Sequence, residues 1–473
     1  MKVIMFTYGL VRSVFFLIPV ILAMGISGNS FVTSERTIYA QDFTNVSNST
    51  SNNESAIRMM EKNLTNIISG INLKIMNNVT DPSITISPID DTIYLSYAKT
   101  ENNETNIYLV KSTDNGSSFT DPVQVNNIPG DATMNAWTTT KIALGPNNEI
   151  YILWHVVDES NKEFAYGSST LRLAKSTDDG RTFLPATSPG NDTLTEKAFF
   201  DLAVSKNNSI YISYLDSLSN VTDFSISYPS EVKLLRSFDG GNSFETPTTI
   251  DKTACDCCKT AALTDQNGEV FVLWRHASHV NNQTYTNGSN PYNDDEKLEK
   301  GLIYEVIRDI YVTHSNDSGK AESFAPAVRI HEDNWYMNGC PSAGPDLGFD
   351  SNGVLHVGWF TGGAEMPGTY YANSTNGGKN FSAPLPLLVD EWVAAKETNL
   401  GVDGKDNVWV TTTDARDENN TYVFIAAKSA DGKLYKNELF GIGESPVISS
   451  GQKITGIAWQ DNDNINIAIL KLR

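Results

Sequence analysis

The residues of this chain best equipped for chemistry are its cysteines. The 473 residues contain 4. Three stand together as Cys255-Asp-Cys-Cys258, and the fourth is Cys340, in Gly339-Cys-Pro341. Two chemistries fit. In an exported protein, thiols pair, which would join Cys340 to one member of the triplet; sequence cannot choose among the possible pairings, and a Cys257–Cys258 bond would be strained. Alternatively, Cys255, Cys257, Cys258 and Cys340 hold zinc or copper(I), with His276, His331 or Met337 near, although C-x-C-C is no ordinary zinc spacing. Free thiols are the remaining alternative. A second set is charged or aromatic: Arg275-His276, Arg308-Asp309, Trp335 ahead of Cys340, and Glu365 in a Gly-rich segment. Guanidinium forks fit carboxylates, so Arg275, His276, Arg308, Asp309, Trp335 and Glu365 are candidate ligand-binding residues. The competing expectation is an Arg–Asp pair that fixes a loop.

Repeats must position these groups. A β-rich run ending in an aromatic recurs as Thr92–Tyr97, Glu149–Trp154, Ser209–Tyr214, Glu269–Trp274 and Val354–Trp359, with weaker copies at Asn407–Thr412 and Lys453–Trp459. Successive copies end 57, 60, 60, 85, 53 and 47 residues apart. A second segment follows the first six copies. It reads Ser112-Thr-Asp-Asn-Gly-Ser-Ser-Phe119, Ser176-Thr-Asp-Asp-Gly-Arg-Thr-Phe183 and Ser237-Phe-Asp-Gly-Gly-Asn-Ser-Phe244, and decays at Ser315-Asn-Asp317, Ser374-Thr-Asn376 and Ser429-Ala-Asp431. In such a turn the Asp carboxylate accepts backbone N–H groups, Gly supplies positive φ and Phe plugs the sheet below. Asp114, Asp178, Asp239, Asp317 and Asp431 are therefore expected to be structural.

This S-x-D-x-G-x-x-F pattern resembles the Asp box of the sialidase-like (BNR repeat) β-propellers, over the span from about Ile71 to the C-terminus. The resemblance implies an all-β fold of four-stranded antiparallel blades. Seven aromatic runs favour seven blades, with six, as in sialidases, the alternative. The last repeat ends at Asn464–Leu470 without a fourth strand, so Ile71–Met76 is expected to complete that blade and close the ring, protecting sheet edges. In such a meander, inner-strand starts and second-strand ends share the channel-mouth face. Cys255 and Cys340 each precede their aromatic landmark, Trp274 and Trp359, by 19 residues, which predicts matching positions on adjacent inner strands. The insertion Ala277–Lys300 and the loop Thr361–Tyr370 open on this face too.

The resembled sialidases grip a carboxylate with three arginines, the first in an R-I-P motif. This chain has no R-I-P and no arginine from Met59 to Leu171. The catalytic roles therefore do not carry over, and whether the chain is an enzyme stays open. The reading favoured is a propeller that recognises a glycan, protein or metal ligand at the channel mouth. A glycoside hydrolase or lyase, using acids such as Glu365, Glu397, Asp216 or Asp414, and an extracellular assembly factor are the alternatives.

Composition bounds these readings. Hydrophobic residues make up 40% and charged residues 19%, with 35 basic against 56 acidic side chains and a net charge of −21. A core can form, while phosphate backbones and anionic membrane surfaces would be repelled. Residues 1–28 read as a signal peptide or membrane anchor, because a basic n-region leads a short apolar heart, Val14–Ile26, broken by Pro19. Residues 29–66 are a Ser/Asn/Thr-rich linker, and 67–473 the propeller. There are 16 N-x-S/T sequons, which suit a glycosylated exterior. The expectation is a secreted or cell-surface monomer that meets a membrane only through an uncleaved N-terminal segment.

Overall fold

A computed structural model of the chain divides into two units, Met1–Ser47 and Asn48–Arg473. It describes residues 56, 60–134, 139–161, 167–190, 195–217, 230–279, 306–316, 319–320, 323–337, 341–363, 366–394, 396–417 and 419–473. Residues 1–28 and most of the linker lie outside this set, as do Asp317, Cys340 and Glu365. Among the described residues, no helix is long and apolar enough to cross a membrane.

Among the described residues the strands build seven antiparallel blades and one small two-stranded sheet, Ser278–His279 with Val306–Ile307. From inner to outer position, blade one is Thr80–Ile86, Ile93–Glu101, Glu104–Ser112 and Val123–Gln124. Blade two is Lys141–Leu144, Ile150–Asp158 and Ser168–Ser176, with a lone bridge from Leu173 to Thr187 in the outer position. Blade three is Glu196–Val204, Ile210–Ser217, Ser230–Ser237 and Thr248–Ala254. Blade four is Ala261–Thr264, Val270–Arg275, Ile310–Ser315 and Val328–Arg329, and blade five is Asp346–Phe349, Leu355–Thr361, Gly368–Ser374 and Leu385–Val389. Blade six is Asn399–Val402, Val408–Asp414, Tyr422–Lys428 and Leu434–Ile442. The seventh runs Glu444–Ser450, Ile454–Asp461, Asn464–Leu472 and then Ile68–Asn77, the strand from the other end of the chain. Leu73 pairs with Ala468 and Asn77 with Asn464, so the ring is closed as the spare N-terminal strand predicts. This is a seven-bladed β-propeller.

The aromatic runs are second strands, sandwiched between neighbouring sheets. Both faces are covered, so these strands are apolar almost throughout rather than alternating: Ile150, Tyr151, Ile152, Leu153 and Trp154 all have no measurable exposure. Each buried tryptophan needs a partner for its indole N–H. Trp274 donates to the Asp251 carboxylate, on the outer strand of the preceding blade. Trp359 donates to Asp333 at 2.8 Å, just past blade four's outer strand. These bonds tie neighbouring blades together. Packing also reaches back before the expected boundary: Met60 and Leu64, in the stretch read as linker, are buried against Phe440 and Trp459 of the last two blades.

The S-x-D-x-G turns share one hydrogen-bond pattern. Asp114 accepts from the Ser112 hydroxyl at 2.8 Å, the Ser118 N–H at 2.9 Å and the Ser118 hydroxyl at 2.6 Å. Asp178 and Asp239 repeat it with Ser176 and Thr182, and with Ser237 and Ser243. These donors, first among them the hydroxyls of Ser118, Thr182 and Ser243, hold all three carboxyls down at about 2. Asn376 keeps part of the pattern in blade five, and Asp431 accepts from Ser429 in blade six. Each of these side chains thus accepts from groups within its own turn wherever it is described.

Candidate functional site

The antiparallel register puts the start of each inner strand beside the end of the second. In blade four Ala261 pairs with Leu273, so the residues before Ala261 and after Leu273 meet on one face of the ring. The bridge from Ala254 to His276 and the bond from the Cys255 N–H to the Arg275 carbonyl, at 2.8 Å, place the cysteine triplet there. One expectation needs correcting. The cysteine triplet does not lie on an inner strand, and Cys340 lies outside the described residues. Cys255 follows the outer strand Thr248–Ala254 and precedes Ala261–Thr264, so it lies in the connection between blades three and four. A crossover from outer rim to inner strand needs several residues, and the landmark count had assigned them to the strand.

The three triplet sulfurs converge: their Sγ atoms all lie within 4.8 Å of one another. Such a group has the geometry to hold a metal ion. Cys255 and Cys258 are buried free thiols, and the Cys255 and Cys257 sulfurs are 3.8 Å apart. Two cations flank them. Arg308 is 1% exposed and its Nη1 lies 3.8 Å from an Asp256 carboxylate oxygen. Burial pushes the Cys255 thiol up, but the hydrogen bond from Cys258 and the Arg308 charge outweigh it, and its net direction is down. Burial and the neighbouring Cys255 push Cys258 well up.

Arg275, also 1% exposed, binds no carboxylate among the described contacts. Its Nε and Nη2 donate to the Ala343 carbonyl at 3.0 and 2.9 Å, Nη1 to the Arg308 carbonyl at 2.7 Å, and Nη2 also to the Phe360 carbonyl at 2.7 Å. The indole of Trp335 stacks on the guanidinium, with ring centre and Cζ 4.8 Å apart. This is not an Arg–Asp pair: one arginine gathers three backbone segments of blades four and five through their carbonyls. Asp309 does not pair with its neighbour Arg308. It accepts from Arg329 Nη1 at 3.1 Å and from the N–H groups of Asn334 and Trp335 at 3.2 Å. His276 Nδ1 lies 2.5 Å from Asp251, the same carboxylate that holds Trp274. Arg275, His276, Arg308, Asp309 and Trp335 therefore do come together, as a buried polar lattice rather than an open anion grip.

Two further acids are informative. Glu196, at the start of blade three's inner strand, was not singled out from sequence. Burial, reinforced by the Asp256 carboxylate, pushes it up to about 7. Its local sequence, Thr195-Glu196-Lys197, carries no motif; what sets it apart is burial and the charge of Asp256, which lies in the connection after blade three. Asp216 and Asp414, candidate acids in the hydrolase alternative, are engaged by Lys233 and by Arg416 respectively.

Beside the cysteine loop lies a cavity on the ring axis. Its lining comes from the inner strands of six blades, or from the residue or two before them: Pro82, Lys141, Phe199, Lys259, Asn399 and Val447 among others. Lys259 directly follows Cys258. Its Nζ donates to Asn399 at 2.6 Å and lies 3.9 Å from Glu397. Lys141 Nζ is 3.8 Å from Asp201. Gly344, in the next connection, passes so close that a Cβ there would sit 2.5 Å from the Lys259 carbonyl oxygen, which only glycine permits. The cavity encloses about 30 Å³, room for a water or two, so a larger ligand would meet its polar rim rather than enter it.

No family model and no curated protein matches the sequence. Solved structures do. A polysaccharide lyase of family PL25, an ulvan lyase bound to -[GlcA(1-4)Rha3S]-, aligns at TM-score 0.50 and 12% identity over 83% of this chain and 93% of its own. A Hadza microbial sialidase aligns at 0.45 and 13% identity, over 78% and 73%. An α-L-arabinanase of Penicillium chrysogenum aligns at 0.44 and 14% identity, over 74% and 93%. At these identities what is shared with the lyase is the fold: this chain is built as a propeller of the same kind.

Proposed function

We propose that this is an exported, cell-surface propeller of the sialidase-like, Asp-box class that recognises a glycan at its channel mouth. The observation that carries the reading is the axial cavity. Side chains from six blades converge there, and it combines apolar walls with Lys141, Lys259, Glu397 and Asn399. Hydroxyl-rich sugars are held by such mixtures of bidentate polar groups and flat apolar surface. The lyase, sialidase and arabinanase likeness in fold agrees with a glycan but does not set the chemistry. Surface chemistry suits export. Every sequon asparagine among the described residues is exposed or half-exposed, from Asn63 and Asn78 to Asn380 and Asn419, so an attached glycan would meet no core.

A disulfide from Cys257 to Cys340 belongs to the same reading. The free thiols are Cys255 and Cys258, which leaves Cys257 in the triplet and Cys340 as the one other cysteine of the chain. Such a bond would strap the connection before blade four to the one before blade five.

The test is binding of the full chain to an array of neutral, uronic-acid and sulfated polysaccharides, beside the variants Lys141→Ala and Glu397→Ala. Binding that both variants weaken at least about tenfold, roughly 1.4 kcal/mol, supports the reading. Binding unchanged in both would remove the cavity from it. Release of reducing ends or of unsaturated uronates during the same incubations would convert the binder into a hydrolase or a lyase.

A further inference from the structure

Three large hydrophobic side chains that stay exposed lie around blade five on the channel-mouth face. Tyr336, 52% exposed, is in the connection from blade four; Met366 is in the loop between blade five's second and third strands; Trp392, 60% exposed, is in the connection to blade six. Their surroundings are anchored. Trp335, Phe360 and Val393 are buried in one apolar cluster with Ala343, and the rings of Trp335 and Phe360 stand 5.4 Å apart. Each connection thus buries one side chain, Trp335 or Val393, and exposes its neighbour, Tyr336 or Trp392. The Asp390 N–H donates to the Pro367 carbonyl at 3.2 Å, which ties the connection to the loop. Arg416 Nη1 pairs with the Asp390 carboxylate while its Nε donates to Asp414 at 2.9 Å, which ties it to blade six. An exposed aromatic on a fixed base loses little freedom when a ligand lies on it.

Charge narrows what that ligand is. Glu332, Asp390 and Glu391 are exposed in the same two connections. Blades four to six and their connections hold four arginines, and all are committed. Arg275 and Arg308 are buried; Arg329 pairs with Asp309 and Glu332, and Arg416 with Asp390 and Asp414. A guanidinium fork is the usual grip on a carboxylate or sulfate, and here each is buried or already balanced. Half-buried Lys396 is a single cation against those acids, and the net charge of −21 repels a polyanion at longer range.

We propose that this face is a stacking subsite for a neutral polysaccharide, one that carries neither uronate nor sulfate. A sugar ring lies on Trp392, where its C–H groups meet the negative face of the indole. Its hydroxyls donate to the carboxylates of Asp390 and Glu391, which take such donors strongly. The inference rests on the glycan reading above and names the substrate class. It also places the sugar on the rim, as the small axial cavity requires. Glu397, which lines that cavity, belongs to the same connection as Trp392, so a chain lying on the indole runs toward the axis.

The experiment titrates the full chain by isothermal calorimetry with a neutral arabinan, a neutral β-glucan, polygalacturonate and a sulfated carrageenan, at low and at raised salt. Binding of a neutral chain that survives raised salt is expected, with neither polyanion bound. Trp392→Ala should weaken it at least about tenfold. Trp392→Phe should keep part of it, because a smaller ring still stacks. Neither variant should move the thermal midpoint by more than a few degrees, since the side chain is exposed. Neutral-chain binding that Trp392→Ala leaves unchanged would overturn the subsite. A preference for polygalacturonate or carrageenan would overturn the neutral class and leave the glycan reading standing, whereas no binding to these probes or to the wider array would end both. Concentration-dependent dimers in sedimentation velocity, abolished by Trp392→Ala, would give the platform to a second copy of the chain and overturn the proposal as well.

Discussion

Arg275 offers a quantitative test of how this face is held together. Its guanidinium is 1% exposed and makes four hydrogen bonds to the carbonyls of Ala343, Arg308 and Phe360. Replacing it with Ala leaves three buried carbonyls without their donor. Each unsatisfied buried group costs about 1–3 kcal/mol. The stacking on Trp335 adds roughly 1 kcal/mol more. Against this, the variant no longer desolvates a charge, which returns a share of several kcal/mol. A net loss of about 3–5 kcal/mol follows, in the range seen when a buried polar network loses one member. Denaturant titration monitored by tryptophan fluorescence measures it, provided the slope stays that of the wild type. Arg275→Lys should recover only part, since an ammonium cannot fork to carbonyls on three segments. If Arg275→Ala keeps its midpoint within the equivalent of about 0.5 kcal/mol while ligand binding disappears, the loop-fixing argument is wrong and the anion-grip expectation stands.

Other outcomes follow from the same geometry. Deleting the chain through residue 77 removes the strand that pairs with Asn464–Leu472, exposing two sheet edges; the whole ring should lose cooperative unfolding and aggregate in size-exclusion chromatography. Trp359→Phe removes part of a fully buried ring and the donor to Asp333 Oδ2, while His331 still holds the other oxygen, so a loss of about 1–3 kcal/mol is expected in the same denaturation assay. Glu196 binds its proton more tightly folded than unfolded. Its contribution is therefore fully present below its ordinary value of 4.5 and is lost as pH rises through about 7. Glu196→Gln should flatten the fall in stability across that window; an unchanged slope would remove Glu196 as its source.

Seven aromatic runs with turn signals between them sufficed to read seven blades. That inference is local: an apolar run bounded by Gly, Asn and Asp folds as a strand covered on both faces wherever it sits. Ring closure was legible for a similar reason, because the last repeat lacks a strand and Ile71–Met76 supplies one of the right pattern. The turns Ser112–Phe119, Ser176–Phe183 and Ser237–Phe244 were legible too, since each Asp is satisfied by residues within the same turn. Sequence also brought the cysteine triplet, Arg275 and Trp335 to one face by strand direction alone. What it did not decide was who bonds whom there. Neighbouring residue numbers suggested an Arg308–Asp309 pair, but consecutive residues point apart, and Asp309 finds Arg329 while Arg308 finds the cysteine loop. Glu196 gave no sequence signal because its perturbation comes from burial and from Asp256, some sixty residues away in the chain and adjacent only once blade three has folded. Periodicity is set by short-range sterics and burial; the charge environment of a site is set by contacts between blades, and those exist only in the closed ring.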